Sequence, residues 1–244
     1  MEYQESLWNG YKRLDFQFEG HNAILVVPDQ PTPDKRWMFK TEYFGAFPNF
    51  EIEMLSKGYY LAHVKNTTRW CLPEDTLRQV RFAKFLQEEF GLYHQCMTVG
   101  MSCGGMQAIY LAAAAPELVA LAYVDAPVMN LLSCPGCAGA STYQVFEEFS
   151  KARGMTMAEL INYRNHPIDC VPKLIENHIP VFLVCGDSDQ VVPYEENGAQ
   201  LYRMYTQAGG TIEQIVKPGC DHHPHGLENT APLMAFVDKY YPAI

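Results

Sequence analysis

The sequence has no apolar run long enough to cross a bilayer. Its longest, Ile109 to Ala115, falls far short of the roughly 20 residues a membrane helix needs. The first residues, Met1-Glu2-Tyr3-Gln4-Glu5-Ser6, show neither a basic nor an apolar leader segment, so no secretory signal is expected. Cations are scarce: 18 Lys and Arg stand against 28 Asp and Glu, a formal net charge of −10. No basic stripe interrupts that balance, which argues against a nucleic-acid partner. Internal repeats and low-complexity tracts are absent. The expectation is a cytoplasmic chain with no membrane and no nucleic-acid partner, and with homo-oligomerisation left open.

What is present is globular. The 244 residues are 48% hydrophobic and 19% charged. A chain of this length buries roughly 70–75% of its unfolded surface and needs no staples. The eight cysteines are therefore expected as small buried hydrophobes with reduced thiols. Cys134-Pro135-Gly136-Cys137 is a C-x-x-C, but a zinc site would want a second pair, and none follows.

The chain is organised around Val99-Gly100-Met101-Ser102-Cys103-Gly104-Gly105, a G-x-S-x-G. The apolar run from His94 to Val99 precedes it, and a small-residue helical run from Met106 to Ala115 follows, stopped by Pro116. A strand feeding a helix through a tight turn lifts the serine hydroxyl above a sheet edge. Glycines at 100 and 104 remove side chains where strand and helix crowd together. The helix N-terminus aims N–H groups at the serine, as an oxyanion requires.

Before this turn, strands are expected at Leu14 to Phe18, Ala23 to Val27, Arg36 to Lys40 and Tyr59 to Val64. Helices are expected from Asn49 to Lys57, with Asn49 as N-cap, and from Pro73 to Phe90. After it come strands at Val119 to Val124, Ile179 to Val184 and Thr211 to Val216, and helices at about Tyr194 to Gln207 and Asn229 to Tyr240. Such alternation predicts an α/β fold with a doubly wound, mostly parallel sheet. Asn130 to Asn177 breaks the alternation. It carries helical patches at Tyr143 to Arg153 and Met157 to Tyr163 without a clear strand. A small cap over the active-site edge is the expectation for it.

A serine hydroxyl needs a general base, and the base needs an orienting acid. Both have candidates at downstream strand ends. One is Gly186-Asp187-Ser188-Asp189-Gln190-Val191-Val192-Pro193; the other is Gly219-Cys220-Asp221-His222-His223-Pro224-His225. From Leu14 to the C-terminus the chain resembles the α/β-hydrolase family, in its small carboxylesterase-like and prolyl-oligopeptidase-like branches. The resemblance rests on the G-M-S-C-G turn, the G-D-S-D-x-V-V-P loop and the H-H-P-H loop, in the order Ser, Asp, His. It implies one domain over residues 1–244 with the cap at about 130–177. It implies Ser102 as nucleophile, Asp189 as acid with Asp187 and Asp125 as alternatives, and His222 as base. His223 and His225 are left to bind substrate or fix the loop.

The expected oxyanion donors are the Cys103 N–H and one from the loop after the Arg36 to Lys40 strand, at Thr41 or Glu42. That loop lacks the H-G-G-G run of many lipases. Tyr43, Phe44, Phe47 and Trp37 are pocket or core aromatics, with Tyr43 and His223 favoured as substrate contacts. The Glu42 carboxylate either meets substrate hydroxyls or is solvated. Arg36, Lys40 and Arg69 either bind an anionic substrate or lie on the surface. No metal is expected at the three histidines, because Pro224 keeps His222 and His225 off one helix face. No cofactor is required. The expected activity is hydrolysis of a small carboxylic ester through an acyl-enzyme. The W-x-F-K-x-E-Y-F-G-A-F-P loop and the G-x-x-H-H-P-H near the end are similar to those of bacterial hydrolases associated with carbohydrate esters, a resemblance that implies a carbohydrate-linked ester as the substrate. An ester fits better than a peptide because no propeller or other gating domain is visible. Acyl transfer, small-peptide hydrolysis and a catalytically silent ligand-binding role are the alternatives.

Overall fold

The computed structural model describes residues 2–137 and 143–243. Its strands are β1 (Gln4–Trp8), β2 (Tyr11–Phe18), β3 (His21–Val27), β4 (Trp37–Lys40), β5 (Tyr60–Val64), β6 (Cys96–Met101), β7 (Val119–Asp125), β8 (Val181–Gly186) and β9 (Ile212–Lys217). The helices are α1 (Asn49–Ser56), α2 (Pro73–Phe90), α3 (Cys103–Ala114), α4 (Tyr143–Arg153), α5 (Met157–Asn162), α6 (Pro167–Glu176), α7 (Gly198–Gln207) and α8 (Ala231–Tyr240). One sheet orders the strands β1-β2-β3-β5-β4-β6-β7-β8-β9. From β1 to β5 the pairings are antiparallel; from β5 through β4 to β9 they are parallel.

Side-chain alternation puts helices on both faces. Ala122, Val124, Val181 and Leu183 face one apolar cluster, which α2, α3, α6 and α7 complete with Phe82, Ile109, Val171 and Leu201. Leu121, Tyr123, Phe182 and Val184 face the other, completed by Phe50 and Met54 of α1 and Phe236 and Val237 of α8. This is the doubly wound, mostly parallel α/β sheet that the alternation of strands and helices predicts. Among the described residues no helix is long and apolar enough to cross a membrane.

Local chemistry sets the helix ends. Pro73 opens α2, where Asp75 accepts the Leu72 N–H at 3.0 Å, and Gly91 closes it at φ 66°. Asn49 does not cap α1: it is the first helical residue, and Pro48 holds the cap position. The expected helix from Tyr194 is broken at Asn197. Its buried side chain accepts the Met129 and Asn130 N–H groups at 2.9 Å and donates to the Pro193 carbonyl at 3.0 Å. The segment between β7 and β8 holds no strand among the described residues, and α6 within it packs on α3. Of the cysteines, Cys71, Cys96, Cys103, Cys134, Cys170 and Cys185 are buried. The C-x-x-C expectation falls partly outside the described residues, at the Cys137 side chain.

Candidate active site

Parallel register brings five strand ends to one edge. Lys40 pairs with Val99, Met101 with Asp125, Asp125 with Val184, and Gly186 with Lys217. Asp125 ends β7 itself, and the loops after the other four strands carry Glu42, Ser102, Asp189 and His222. This is the carboxyl edge, where open α/β sheets bind ligands.

Ser102 sits between β6 and α3 at φ 54° and ψ −120°, a strained turn for a residue with a side chain. Its N–H donates to the Asp125 carbonyl at 2.9 Å, and its carbonyl accepts from Val128 at 3.1 Å. A Cβ at Gly100 would lie 2.3 Å from the Gly104 oxygen, and one at Gly105 2.5 Å from the Pro127 Cβ. At Gly104 the nearest atom is Glu42 Cβ at 3.2 Å. The crowded positions are thus 100 and 105, with 104 milder than its place in the motif suggests. Cys103 is the first residue of α3, so its N–H has no acceptor within the helix. Its own thiol is no competing nucleophile: burial, with Cys134 nearby, pushes it up to about 12.

Ser102, His222 and Asp189 come together. His222 Nε2 lies 3.1 Å from Ser102 Oγ, and His222 Nδ1 lies 2.8 Å from Asp189 Oδ2. Asp189 Oδ1 accepts the Val191 and Val192 N–H groups, both at 2.8 Å. An ionised carboxylate only accepts, so the proton on this side of the ring belongs to Nδ1, and the neutral imidazole presents a lone pair at Nε2. The other acids are engaged elsewhere. Asp187 accepts the Gly219 N–H at 2.7 Å. Asp125 accepts His225 Nδ1 at 2.7 Å and the Gly226 N–H at 2.7 Å.

Ser102 opens into a cavity of about 320 Å³, lined by Tyr43, Phe47, Met101 and Val191 together with Arg69 and the three histidines. Tyr43 and His223 are therefore both at the pocket. Burial, with the Cys103 thiol beside it, raises the Tyr43 phenol well above its ordinary range. Partial burial and the His225 and His222 rings lower His223. No described residue of the α4–α6 segment lines this cavity. The segment reaches it through Glu148, which forms a bidentate pair with Arg69.

Several sequence expectations need correction. The Glu42 carboxylate is half-buried and tied into the protein: the Asn66 and Gln107 amides both donate to its Oε2 at 2.9 Å. Thr41 is not a free donor, because its N–H is spent on the Val99 carbonyl at 3.1 Å. Lys40 is buried and ion-paired with buried Glu51. Arg36 is buried at the opposite end of β4, paired with Asp34 at 2.6 Å and stacked 3.6 Å above Tyr93. Trp37 is core, and Phe44 packs on Trp8 at 5.2 Å rather than in the pocket. The three histidines are brought together after all. Their ligating atoms lie within 4.8 Å of one another, because a turn at Pro224, and not a helix, carries them. Sequence reasoning also treated Asp125 and His225 separately and missed that they pair. A carboxylate ending the strand beside β6 was the available signal.

The Prolyl oligopeptidase family model matches residues 56–242. No curated protein sequence matches the chain. Among solved structures, Pyrococcus horikoshii acylaminoacyl peptidase is similar at TM-score 0.70 and 13% identity, covering 98% of this chain and 42% of that one. Porphyromonas gingivalis dipeptidyl peptidase 4 is similar at TM-score 0.68 and 15% identity, covering 98% of this chain and 35% of that one. The chain thus spans less than half the length of these structures, and at such identities the likeness is one of fold. With the family model covering most of the sequence, the chain belongs to the prolyl oligopeptidase family of α/β-hydrolase serine hydrolases.

Proposed function

We propose that the protein hydrolyses a small carboxylic ester through an acyl-enzyme on Ser102. The observation that carries this is the unbroken hydrogen-bond chain Asp189–His222–Ser102 at the wall of the cavity. Ser102 Oγ attacks the ester carbonyl as His222 Nε2 takes its proton. The new oxyanion accepts from the N–H groups of Cys103 and Glu42. Glu42 is the choice because Thr41 is occupied and the Glu42 nitrogen borders Gly104. The tetrahedral adduct then collapses, the bond to the alcohol oxygen breaks, and His222 returns the proton to that oxygen. Water repeats the sequence on the acyl-serine, releasing the acid and restoring Ser102. Asp189 holds the imidazole tautomer and stabilises the transient imidazolium. Proton transfer of this kind contributes about 10²–10⁴ in rate, and each oxyanion donor about 10²–10³.

The substrate size follows from the cavity, which at about 320 Å³ is near the lower end for ligand pockets. Ala46, Phe47, Met101 and Val191 suit a short apolar acyl or alkyl group. The second reading is hydrolysis of a short peptide, favoured by membership of a family named for oligopeptidases. The two separate on kcat/KM for a p-nitrophenyl ester, an acetylated sugar and an anilide of matched acyl group. The ester reading expects the acetylated sugar, whose leaving alkoxide is not activated, to exceed the anilide. A faster anilide overturns it in favour of the peptide reading.

A further inference from the structure

We infer that His222, His223 and His225 form a binding site for a nitrogen-preferring divalent cation of the Zn²⁺ class, and that occupancy switches the serine off. The binding half stands without the hydrolytic reading; the inhibitory half rests on it.

Three imidazoles converge here. Ring centroids are 4.8 Å apart for His222 and His223, 4.7 Å for His222 and His225, and 4.9 Å for His223 and His225. Their candidate ligand atoms lie within 4.8 Å of one another. Zinc–nitrogen bonds of about 2.0–2.1 Å place tetrahedral ligand atoms roughly 3.4 Å apart, so the donors need only close by an ångström or so. His223 is exposed, with its ring stacked on Phe47 at 5.8 Å between centroids.

A second observation is independent of proximity. His222 and His225 each donate Nδ1–H to a buried carboxylate, Asp189 at 2.8 Å and Asp125 at 2.7 Å. That is the carboxylate–histidine arrangement found behind metal ligands: it fixes the tautomer and the ring orientation and leaves the Nε2 lone pair free to bind. The hydrolytic chemistry uses one such pair. The Asp125–His225 pair is not needed for it, yet it is built in the same way, and its His225 lines the same cavity.

Three neutral nitrogens suit Zn²⁺, Cu²⁺ or Ni²⁺ and not the oxygen-seeking Mg²⁺. Ser102 Oγ, 3.1 Å from His222 Nε2, or a water fills the fourth position. A cation there occupies the lone pair that would accept the serine proton.

The test is calorimetric titration of ZnCl₂ into chelator-treated full-length protein carrying Ser102→Ala, which reads binding without hydrolysis. One saturable site is expected, weakened about tenfold or more by His223→Gln, by His225→Asn and by Asp125→Asn, with Cys220→Ser unaffected and MgCl₂ silent. In the wild type, Zn²⁺ is expected to block fluorophosphonate labelling of Ser102, and a chelator to restore it. No saturable heat, binding lost with Cys220→Ser, or binding unchanged in His223→Gln overturns the site. His223 is exposed, so its variant keeps the test valid should the buried ones fail to fold. Binding without protection of Ser102 overturns the inhibitory half alone. A serine that no probe labels, with Zn²⁺ still bound, counts against the hydrolytic reading instead.

Discussion

His222 and His225 stand ring against ring, centroids 4.7 Å apart, and each holds its own buried aspartate. Only His222 reaches Ser102. The distinction between the two pairs is therefore positional, and it makes the acids separable by mutation. Asp189→Asn should lower kcat by about 10⁴, the cost of losing the correct tautomer. Asp187→Asn should stay close to wild type in rate and lose about 1 kcal/mol of stability through the Gly219 turn. Ester kinetics with a denaturation curve for each variant check this. Near-full rate in Asp189→Asn would contradict the assignment.

The turn at Ser102 makes a graded prediction about glycines. Gly100→Ala drives a Cβ to 2.3 Å from the Gly104 carbonyl oxygen, a backbone atom that cannot give way. That variant should not yield stable folded protein. Gly104→Ala meets Glu42 Cβ at 3.2 Å, so it should fold at a cost of about 1–3 kcal/mol. It should also slow turnover, by displacing the Glu42 N–H. Thermal melts and kcat read both effects, and a Gly100→Ala protein as stable as wild type would refute the packing argument.

Lys40 and Glu51 form a buried ion pair beneath the turn, with Lys40 Nζ also 3.5 Å from Met101 Sδ. Removing one partner strands a buried charge, so Lys40→Met should cost about 3–5 kcal/mol. The double variant Lys40→Met/Glu51→Leu should cost clearly less. Chemical denaturation of the single and double variants decides; equal losses would show that the pair is not coupled.

Asp75 predicts an acid-dependent contribution to stability. Burial opposes its charge, but the Thr67 N–H at 2.8 Å, the Leu72 N–H at 3.0 Å and Arg78 at 2.7 Å prevail and hold the carboxyl below its usual range. A lowered folded pKa stabilises above the unfolded value, and the gain is lost as pH falls through the folded one. Asp75→Asn should thus cost about 1–3 kcal/mol near neutrality. The gap to wild type should narrow below about pH 4. A gap that stays constant into acid would contradict this.

Much of the fold was legible because hydrophobic periodicity reports burial directly. The central strands and α2 carry unbroken apolar patterns. β1 was missed because four of its five residues are exposed, and pairing with β2 holds it in the sheet. α6 was missed because Pro167 and Pro172 punctuate it, although the first merely opens the helix. Motif order located Ser102, Asp189 and His222. The burial of Arg36 and Lys40 was not legible, since it depends on Tyr93, Tyr241 and Glu51 arriving from other elements. The histidine cluster was hidden by applying helical spacing to a loop.

Intact-mass analysis after exposure to a fluorophosphonate, wild type beside Ser102→Ala, tests the central claim most directly. An activated Ser102 predicts a single adduct on the wild type and none on the variant. An unlabelled, well-folded wild type, or an adduct that persists in Ser102→Ala, would contradict it.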